Sequence, residues 1–122
     1  MSIEENKATV RRVNEEVCNK HNLDAVDVYF ALNYSADNPY QRGATGLEAV
    51  KQKVAYALNA FPGMHYADDL IAEGDKVVHR WPFRGTHQGE FMNVPPTGKE
   101  VRTTGITIYR NVGGKIVEEW AE

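Results

Sequence analysis

Residues 77–84 read VVHRWPFR, and their side chains alternate between two kinds. One set is apolar or aromatic apart from a single histidine, and it comprises Val77, His79, Trp81 and Phe83. The other set carries both arginines, and it comprises Val78, Arg80, Pro82 and Arg84. Because successive side chains of a strand point to opposite faces, this alternation predicts a strand with one buried and one solvated face. We expect the first set to face the interior of the fold.

The residues before this strand have the periodicity of helices, and those after it have the periodicity of strands. Residues 3–20 repeat apolar side chains at helical spacing, a short second helix is predicted next, and a third is predicted from Leu47 to Phe61. A capping box of Thr45 and Glu48 is expected to open the third helix, and Pro62 is expected to end it. Residues 33–43 are predicted to be irregular, with one short strand or bridge.

The order of these elements predicts the fold class. Three N-terminal helices followed by a meander of strands indicate a single α+β domain over residues 1–122. A strongly twisted sheet that wraps around helices forms a cone, whose mouth the helices do not fully close. We therefore expect an α+β cone, in which three helices and a curved antiparallel sheet enclose a pocket.

The composition is that of a soluble globular chain, and it narrows the possible partners. The 122 residues carry a formal net charge of −3, which argues against nucleic acid or an anionic membrane as the main partner. No apolar run approaches the roughly 20 residues of a membrane-spanning helix. The single cysteine, Cys18, excludes an internal disulfide, fits a reducing cytoplasm, and is expected to be a small helix residue rather than a nucleophile. We expect no metal site, because metal-ligand spacing is absent among His21, His65, His79 and His87.

The last hairpin decides which residues of the final strand face the interior. A three-residue loop of Val112, Gly113 and Gly114 would pair Asn111 with Lys115. One face would then hold Thr107, Tyr109, Val117, Glu119 and Ala121, and the other would hold Ile106, Ile108, Ile116, Glu118 and Trp120. A two-residue turn would shift the register and break this grouping. We favour the three-residue loop, because it gathers four large apolar side chains into an outer patch suited to a homodimer. Glu119 would then point into the cone.

The second half of the chain carries motifs that resemble a known family. They are Glu73-Gly74-Asp75, the run Gly85-Thr86-His87-x-Gly89, Pro95-Pro96-Thr97-Gly98, Gly105-Ile106, and Gly114-Lys115-Ile116 leading to Glu118-x-Trp120. Together with the helical half, the chain resembles the SnoaL-like polyketide cyclases (ester cyclases) of the NTF2-like superfamily. Part of the motif is structural. The Pro-Pro-Thr-Gly segment suits a turn, and His87 is expected to anchor the segment around it by a hydrogen bond rather than to act as a base.

The resemblance implies an intramolecular aldol ring closure of a polyketide ester, without a metal or a cofactor. In that reaction a carboxylate removes the acidic proton between two carbonyl groups, and the resulting enolate attacks a second carbonyl. The protein has to supply a carboxylate in an apolar pocket, hydrogen-bond donors where charge develops on oxygen, and aromatic walls that fold the substrate.

The candidate site residues follow from the predicted faces and from the resemblance. Glu119 is the first candidate for proton transfer, and the alternative is an exposed carboxylate paired with a neighbouring arginine. Asp37 is the second candidate or a turn-forming residue, and His79 is either a base or donor or a satisfied core histidine. Thr107 and Tyr109 are the expected oxyanion donors if Glu119 faces inward. The aromatic residues expected to form either the pocket wall or simple core are Tyr29, Phe30, Phe61, Trp81 and Phe83.

Three functions of different classes stay open from the sequence. The first is a cofactor-independent enzyme that acts by enolisation, as the resemblance implies. The second is a hydrolase such as an epoxide hydrolase, which could use Asp37, Glu119 and Arg80 only if Arg80 turned inward. The third is a non-catalytic small-molecule binder or a dimeric interaction module, since the cone is reused in that way. The expected ligand is apolar, carbonyl-bearing and small enough for one cone.

Overall fold

Three helices lie in the first half of the chain, as predicted. The computed structural model describes residues 2–37 and 42–122. Helix α1 (Ile3–Arg12) begins with a capping box, in which Ser2 Oγ accepts a hydrogen bond from the Glu5 N–H at 3.1 Å, and it continues as a π-helical segment over Val13–Asn19. A 3₁₀ turn (Leu23–Ala25) leads into α2 (Val26–Tyr29), and α3 spans Leu47–Ala60. None of the described helices combines the length and the hydropathy needed to cross a membrane.

The described residues contain seven strands in one sheet. They are β1 (Phe30–Asp37), β2 (Arg42–Thr45), β3 (His65–Tyr66), β4 (Leu70–Glu73), β5 (Lys76–Thr86), β6 (Glu100–Val112) and β7 (Lys115–Ala121). The spatial order is β2-β1-β7-β6-β5-β3, and β4 also pairs with β5. Strands β1 and β7 run parallel, whereas the other pairs are antiparallel. The sheet is therefore mixed, and the expectation of an antiparallel sheet is wrong for the pair of β1 and β7. A parallel pair needs a long connection between its strands, and the chain between β1 and β7, which includes α3, provides it.

The segment predicted to be irregular forms strands β1 and β2 instead, while residues 38–41 of that segment lie outside the described residues. Its Asn and Ser residues have low strand propensity, but β1 has a neighbour on each side, and this pairing overrides the local preference. The predicted cap of α3 is also wrong. Thr45 pairs with Ser35 as the last residue of β2, and α3 starts after Gly46, whose φ of 85° suits a glycine.

The inner face of β5 is buried, as the alternation in VVHRWPFR predicted. Val77, His79 and Phe83 are buried, and Val77 and Phe83 belong to the hydrophobic core that the strands share with the helices. The two arginines of the other face, Arg80 and Arg84, are exposed. Trp81 is partly buried opposite Gly105 on β6, where an added Cβ would lie 2.1 Å from the indole ring. Gly105 thus leaves the space that Trp81 occupies.

The last hairpin closes with a two-residue turn, so the predicted three-residue loop and the pairing of Asn111 with Lys115 are wrong. Gly113 and Gly114 both have positive φ, 58° and 85°, which suits a tight hairpin turn, and Val112 pairs with Lys115. Asn111 then pairs with Ile116, whereas Arg110 pairs with Glu118. The residue left over between these pairs, Val117, forms a β-bulge.

The bulge restores most of the predicted faces. Tyr109 pairs with Glu119, and both are buried; Ile108 pairs with Trp120, and Trp120 is exposed. Glu119 therefore faces inward, as predicted, although through a different turn. Ile116 lies before the bulge and is fully buried in the core, so its placement in the outer patch is wrong.

Candidate active site

A cavity of about 200 Å³ lies between the helices and the inner faces of β5, β6 and β7. Its lining is mostly apolar, and the aromatic residues in it are Tyr56, Phe61, Tyr66, Trp81, Phe83, Phe91 and Tyr109. The polar residues in it are Asn14, Cys18, Lys53, His79, Thr103, Thr107 and Glu119. Pockets for drug-sized ligands hold roughly 300–1,000 Å³, so this cavity suits a smaller molecule.

Glu119 is the acidic residue of this cavity. It is 2% exposed, and its Oε1 accepts hydrogen bonds from the Tyr34 hydroxyl on β1 and from the Lys53 ammonium on α3. Burial and the neighbouring Glu119 carboxylate raise the pKa of Tyr34 well above its ordinary value, so Tyr34 stays protonated and donates. Both donors contact the same oxygen, and Oε2 has no hydrogen bond to any residue in the described ranges 2–37 and 42–122.

Two hydrogen-bond donors lie on β6, the strand that pairs with the strand of Glu119. Tyr109 is buried directly opposite Glu119, and burial, together with the charge of Glu119, raises its pKa well above the ordinary value. Its phenol therefore stays protonated. Thr107, two residues earlier on β6, accepts a hydrogen bond from the Trp81 indole N–H at 2.9 Å, which leaves its own hydroxyl proton to donate.

His79 presents a neutral imidazole to the cavity from β5, where it pairs with Thr107. Its Nε2 lies 3.1 Å from the carbonyl oxygen of Ala67, and because a carbonyl only accepts, Nε2 carries the proton and Nδ1 is the acceptor. Burial lowers the pKa of His79, partly offset by the Ala67 carbonyl and by Asp68 and Asp69. His79 can therefore accept a proton or a hydrogen bond at Nδ1, but it does not act as a donor there.

The burial of His79 has a measurable effect on stability. The unfolded chain protonates His79 below its ordinary pKa of 6.5, whereas the folded chain resists protonation, so the free energy of unfolding falls as the pH drops below 6.5. His79→Asn is expected to flatten this fall between about pH 6.5 and pH 5, by at most about 1.4 kcal/mol per pH unit. Denaturant unfolding at a series of pH values measures the slope.

His65 provides the control for this measurement, because it is exposed on β3. His65→Asn should keep the slope of the wild type, whatever its effect on the absolute stability. An unchanged slope in the His79→Asn protein would contradict the buried neutral state of His79.

Three residues predicted for the site lie away from the cavity. Asp37 is exposed at the end of β1 and does not line it. The Tyr29 hydroxyl donates to the Glu16 carboxylate, and Phe30 is buried in the core with its ring 5.2 Å from that of Tyr34. Both belong to the junction of α2 and β1, which packs on the helices rather than around the cavity. The other predicted walls and donors, Phe61, Trp81, Phe83, Thr107 and Tyr109, do line it.

Cys18 also lines the cavity, as a protonated thiol. Burial raises its pKa to about 11, so the reactive thiolate is scarce at neutral pH, in keeping with the small helix residue expected from the sequence. Within residues 2–37 and 42–122 there is also no group of three His, Cys, Asp or Glu side chains arranged to hold a metal ion.

A strap after β5 covers part of the cavity; it comprises residues 88–99. His87 connects the two ends of this strap. Its backbone N–H donates to the Lys99 carbonyl at 2.9 Å, and its Nδ1 lies 3.1 Å from Thr97 Oγ1. This is the anchoring position expected for His87. Phe91 is partly buried, lines the cavity and packs against Phe61 with their ring centroids 5.3 Å apart.

The two partners of Glu119, Tyr34 and Lys53, were not predicted from the sequence. Lys53 had a signal: it lies three residues after Val50 and four before Ala57, on the apolar side of α3, where a charge requires a partner. Tyr34 had none, because it lies in the segment predicted to be irregular.

The cone of three helices and a mixed sheet places the chain in the NTF2-like fold class. Within that class the chain belongs to the SnoaL-like polyketide cyclase family, whose sequence model matches residues 8–122. No curated protein matches the chain significantly.

Solved structures support the same assignment. A protein of Acidithiobacillus ferrooxidans, provisionally described as a polyketide cyclase, is 28% identical with a TM-score of 0.86, and the match covers 100% of this chain and 90% of that chain. IdmH of Streptomyces antibioticus, also provisionally described as a polyketide cyclase, is 27% identical with a TM-score of 0.79, over 96% and 90% of the two chains. AclR of Streptomyces galilaeus, provisionally described as a hydroxylase, is 29% identical with a TM-score of 0.85, over 99% and 76%.

Proposed function

We propose that the protein is a cofactor-independent enzyme that enolises a small carbonyl or ester compound and closes a ring by an intramolecular aldol reaction. The observation that carries this proposal is the Glu119 carboxylate, which is 2% exposed and lines an apolar cavity. A carboxylate that only forms surface ion pairs stays in contact with solvent. A carboxylate that is buried beside a ligand-sized cavity is a typical proton-transfer group. Membership of the polyketide cyclase family favours the same reaction class.

Proton removal is assigned to Oε2 of Glu119. Tyr34 and Lys53 both hold Oε1, which fixes the orientation of the carboxylate and leaves Oε2 to meet the substrate. Oε2 takes the proton from the carbon between two carbonyl groups, and the products are an enolate and a protonated Glu119.

Ring closure then uses the donors around the carboxylate. Tyr109 and Thr107 donate to the oxygen on which the enolate charge develops, and the aromatic walls hold the chain of the substrate folded. The enolate carbon attacks the second carbonyl carbon, a C–C bond forms, and the new alkoxide takes the proton back from Glu119. No proton is gained or lost overall. His79 Nδ1 accepts a hydrogen bond from a hydroxyl of the substrate.

The test is carbon-acid exchange in heavy water, followed by NMR on a panel of small β-diketones and β-keto esters. The protein should accelerate the loss of the proton signal between the two carbonyls, even for compounds that cannot cyclise. Compounds that bind without faster exchange would instead identify a non-catalytic binder, and the proposal would fail.

The hydrolase hypothesis has less support from the geometry. An epoxide-hydrolase-like site needs two carboxylates bridged by an arginine that faces the cavity. Arg80 is exposed on the outer face, where its Nη1 lies 3.6 Å from Asp69 Oδ2, and Asp37 does not line the cavity. The binder hypothesis is the alternative that the exchange assay decides.

We also propose that the protein is a homodimer through the outer face of its sheet. An apolar row crosses four strands there, in register from Ile71 through Val78 and Ile108 to Trp120. Ile71 is 68% exposed and Trp120 is 37% exposed, and Ile106 beside them is 47% exposed. A continuous exposed apolar row of this kind is typical of a subunit interface.

Trp120→Glu is expected to convert the dimer to a monomer, because it places a charge within the apolar row. Sedimentation velocity measures the change. Val28→Glu is the matched control, since Val28 is 59% exposed on α2, outside the row. A wild-type protein that sediments as a monomer, or a Val28→Glu protein that dissociates equally, would contradict the proposed interface.

We further propose that residues 1–122 form a single domain and that the protein works in the cytoplasm. The helices and the sheet share one hydrophobic core, which supports a single folding unit. The lone cysteine has no disulfide partner in the sequence, which suits a reducing compartment.

A further inference from the structure

Lys53 is the cationic residue of the cavity, and its position is unusual for a lysine. It projects from the buried side of α3, next to Val54 and one turn before Ala57, both of which also line the cavity. Its side chain is 21% exposed, and its ammonium contacts the Glu119 carboxylate. A lysine in apolar surroundings can be used as a nucleophile once its ammonium loses a proton, and a carboxylate in contact with it can accept that proton.

Glu119 provides a direct acceptor for the Lys53 proton. The hydrogen bond from Nζ to Oε1 is the path of that transfer, which turns two opposite charges into a neutral amine and a neutral carboxylic acid. A ligand that fills the cavity removes water from the partly exposed Lys53 ammonium and favours the neutral pair over the charged one. The amine then has a free electron pair facing the carbonyl ligand.

We propose that Lys53 condenses with aldehydes and ketones that enter the cavity and holds them as a Schiff base. The amine nitrogen attacks the carbonyl carbon, a C–N bond forms, and one nitrogen proton passes to the oxygen to give a carbinolamine. Glu119, protonated in the first step, then gives its proton to that hydroxyl group. The C–O bond breaks, water leaves, and the products are an iminium ion on Lys53 and the Glu119 carboxylate.

This condensation gives the cavity an activity beyond direct enolisation. An iminium nitrogen attracts electrons more strongly than a neutral carbonyl oxygen, so a C–H bond next to it is more acidic. Aldol addition and its reverse, carbon–carbon cleavage of a β-hydroxy ketone, become accessible to the same cavity. The inference does not depend on the proposed cyclase reaction, because the Schiff base forms without any enolisation of the ligand.

Acetylacetone is the probe for this proposal. This β-diketone condenses with a nucleophilic lysine to a conjugated enaminone, which gives a new near-ultraviolet absorption band and adds the mass of the probe less one water. We expect one adduct per chain in the full-length protein, mapped by peptide mass spectrometry to Lys53.

Lys51 is a control within the same helix. Its Nζ lies 3.2 Å from Asp27 Oδ1 and its side chain is 29% exposed, so it is also a paired, half-buried lysine, but it does not line the cavity. Lys53 should react at least about tenfold faster than Lys51, because only its amine is held in the apolar cavity. Lys51→Arg should keep the adduct, and Lys53→Arg, which keeps the charge but not the nucleophile, should lose it.

The outcomes separate this proposal from the cyclase proposal. Three results would overturn the Schiff-base proposal. They are the absence of an adduct on folded wild-type protein, equal labelling of Lys51 and Lys53, and an adduct that still forms in the Lys53→Arg protein. Carbon-acid exchange that persists in the Lys53→Arg protein would leave the cyclase proposal standing whichever result the probe gives.

Discussion

Glu119→Gln is expected to lower the rate of carbon-acid exchange by about 10²–10⁴-fold, which is the usual contribution of a positioned general base. Glutamine is nearly the same size as glutamate, and its side-chain oxygen can still accept from Tyr34 and Lys53. It has no basic oxygen to take a proton from carbon. Ligand affinity should therefore change little while turnover is lost, and NMR exchange rates and ligand titrations on the same samples measure both quantities.

Glu118 is the matched control for this substitution. It is the preceding residue on β7, but it lies on the other side of the strand, where the Arg110 guanidinium donates to its Oε1 at 2.7 Å. Glu118→Gln removes a charge of the same type without touching the cavity, so exchange should continue at the wild-type rate. Equal rates for the wild type and the Glu119→Gln protein would show that Glu119 does not remove the proton.

The position of Glu119 was predictable from the sequence, although the reason given for it was partly wrong. Alternation along the last strand grouped Glu119 with Tyr109, and the structure pairs them. The predicted turn was one residue too long. Two adjacent glycines adopt the tighter turn, and the bulge at Val117 adds back the residue that the turn does not use. Bulges depend on packing across the sheet, so a single strand pattern does not reveal them.

The partners of Glu119 could not be predicted from local periodicity in the sequence. Tyr34 and Lys53 are 85 and 66 residues away from it along the chain. Tyr34 reaches the site because β1 runs parallel to β7, a pairing between distant strands that no periodicity encodes. The buried face of β5 was predicted correctly, because burial of one face of a strand produces an alternating pattern in its own sequence.

Lys53→Met is expected to lower the free energy of unfolding by about 2–4 kcal/mol, because it leaves a buried carboxylate without its cation. The Glu119 side chain is 1% exposed, so water cannot solvate its carboxylate in place of the lost ammonium. This loss is smaller than the largest losses in the free energy of unfolding that follow from breaking a buried ion pair, because the Tyr34 hydroxyl still donates to the carboxylate. Denaturant unfolding, with the midpoint and the slope both fitted, measures the change.

Two further variants test whether the loss comes from the unpaired charge. Lys51→Met breaks the more exposed pair with Asp27 on the same helix and should cost less than about 1 kcal/mol. The double variant Lys53→Met with Glu119→Gln contains no buried charge, so it should be more stable than Lys53→Met alone. If Lys53→Met matched the wild type, or if the second substitution only added to the loss, the contact with Lys53 would not be what stabilises the buried Glu119 side chain.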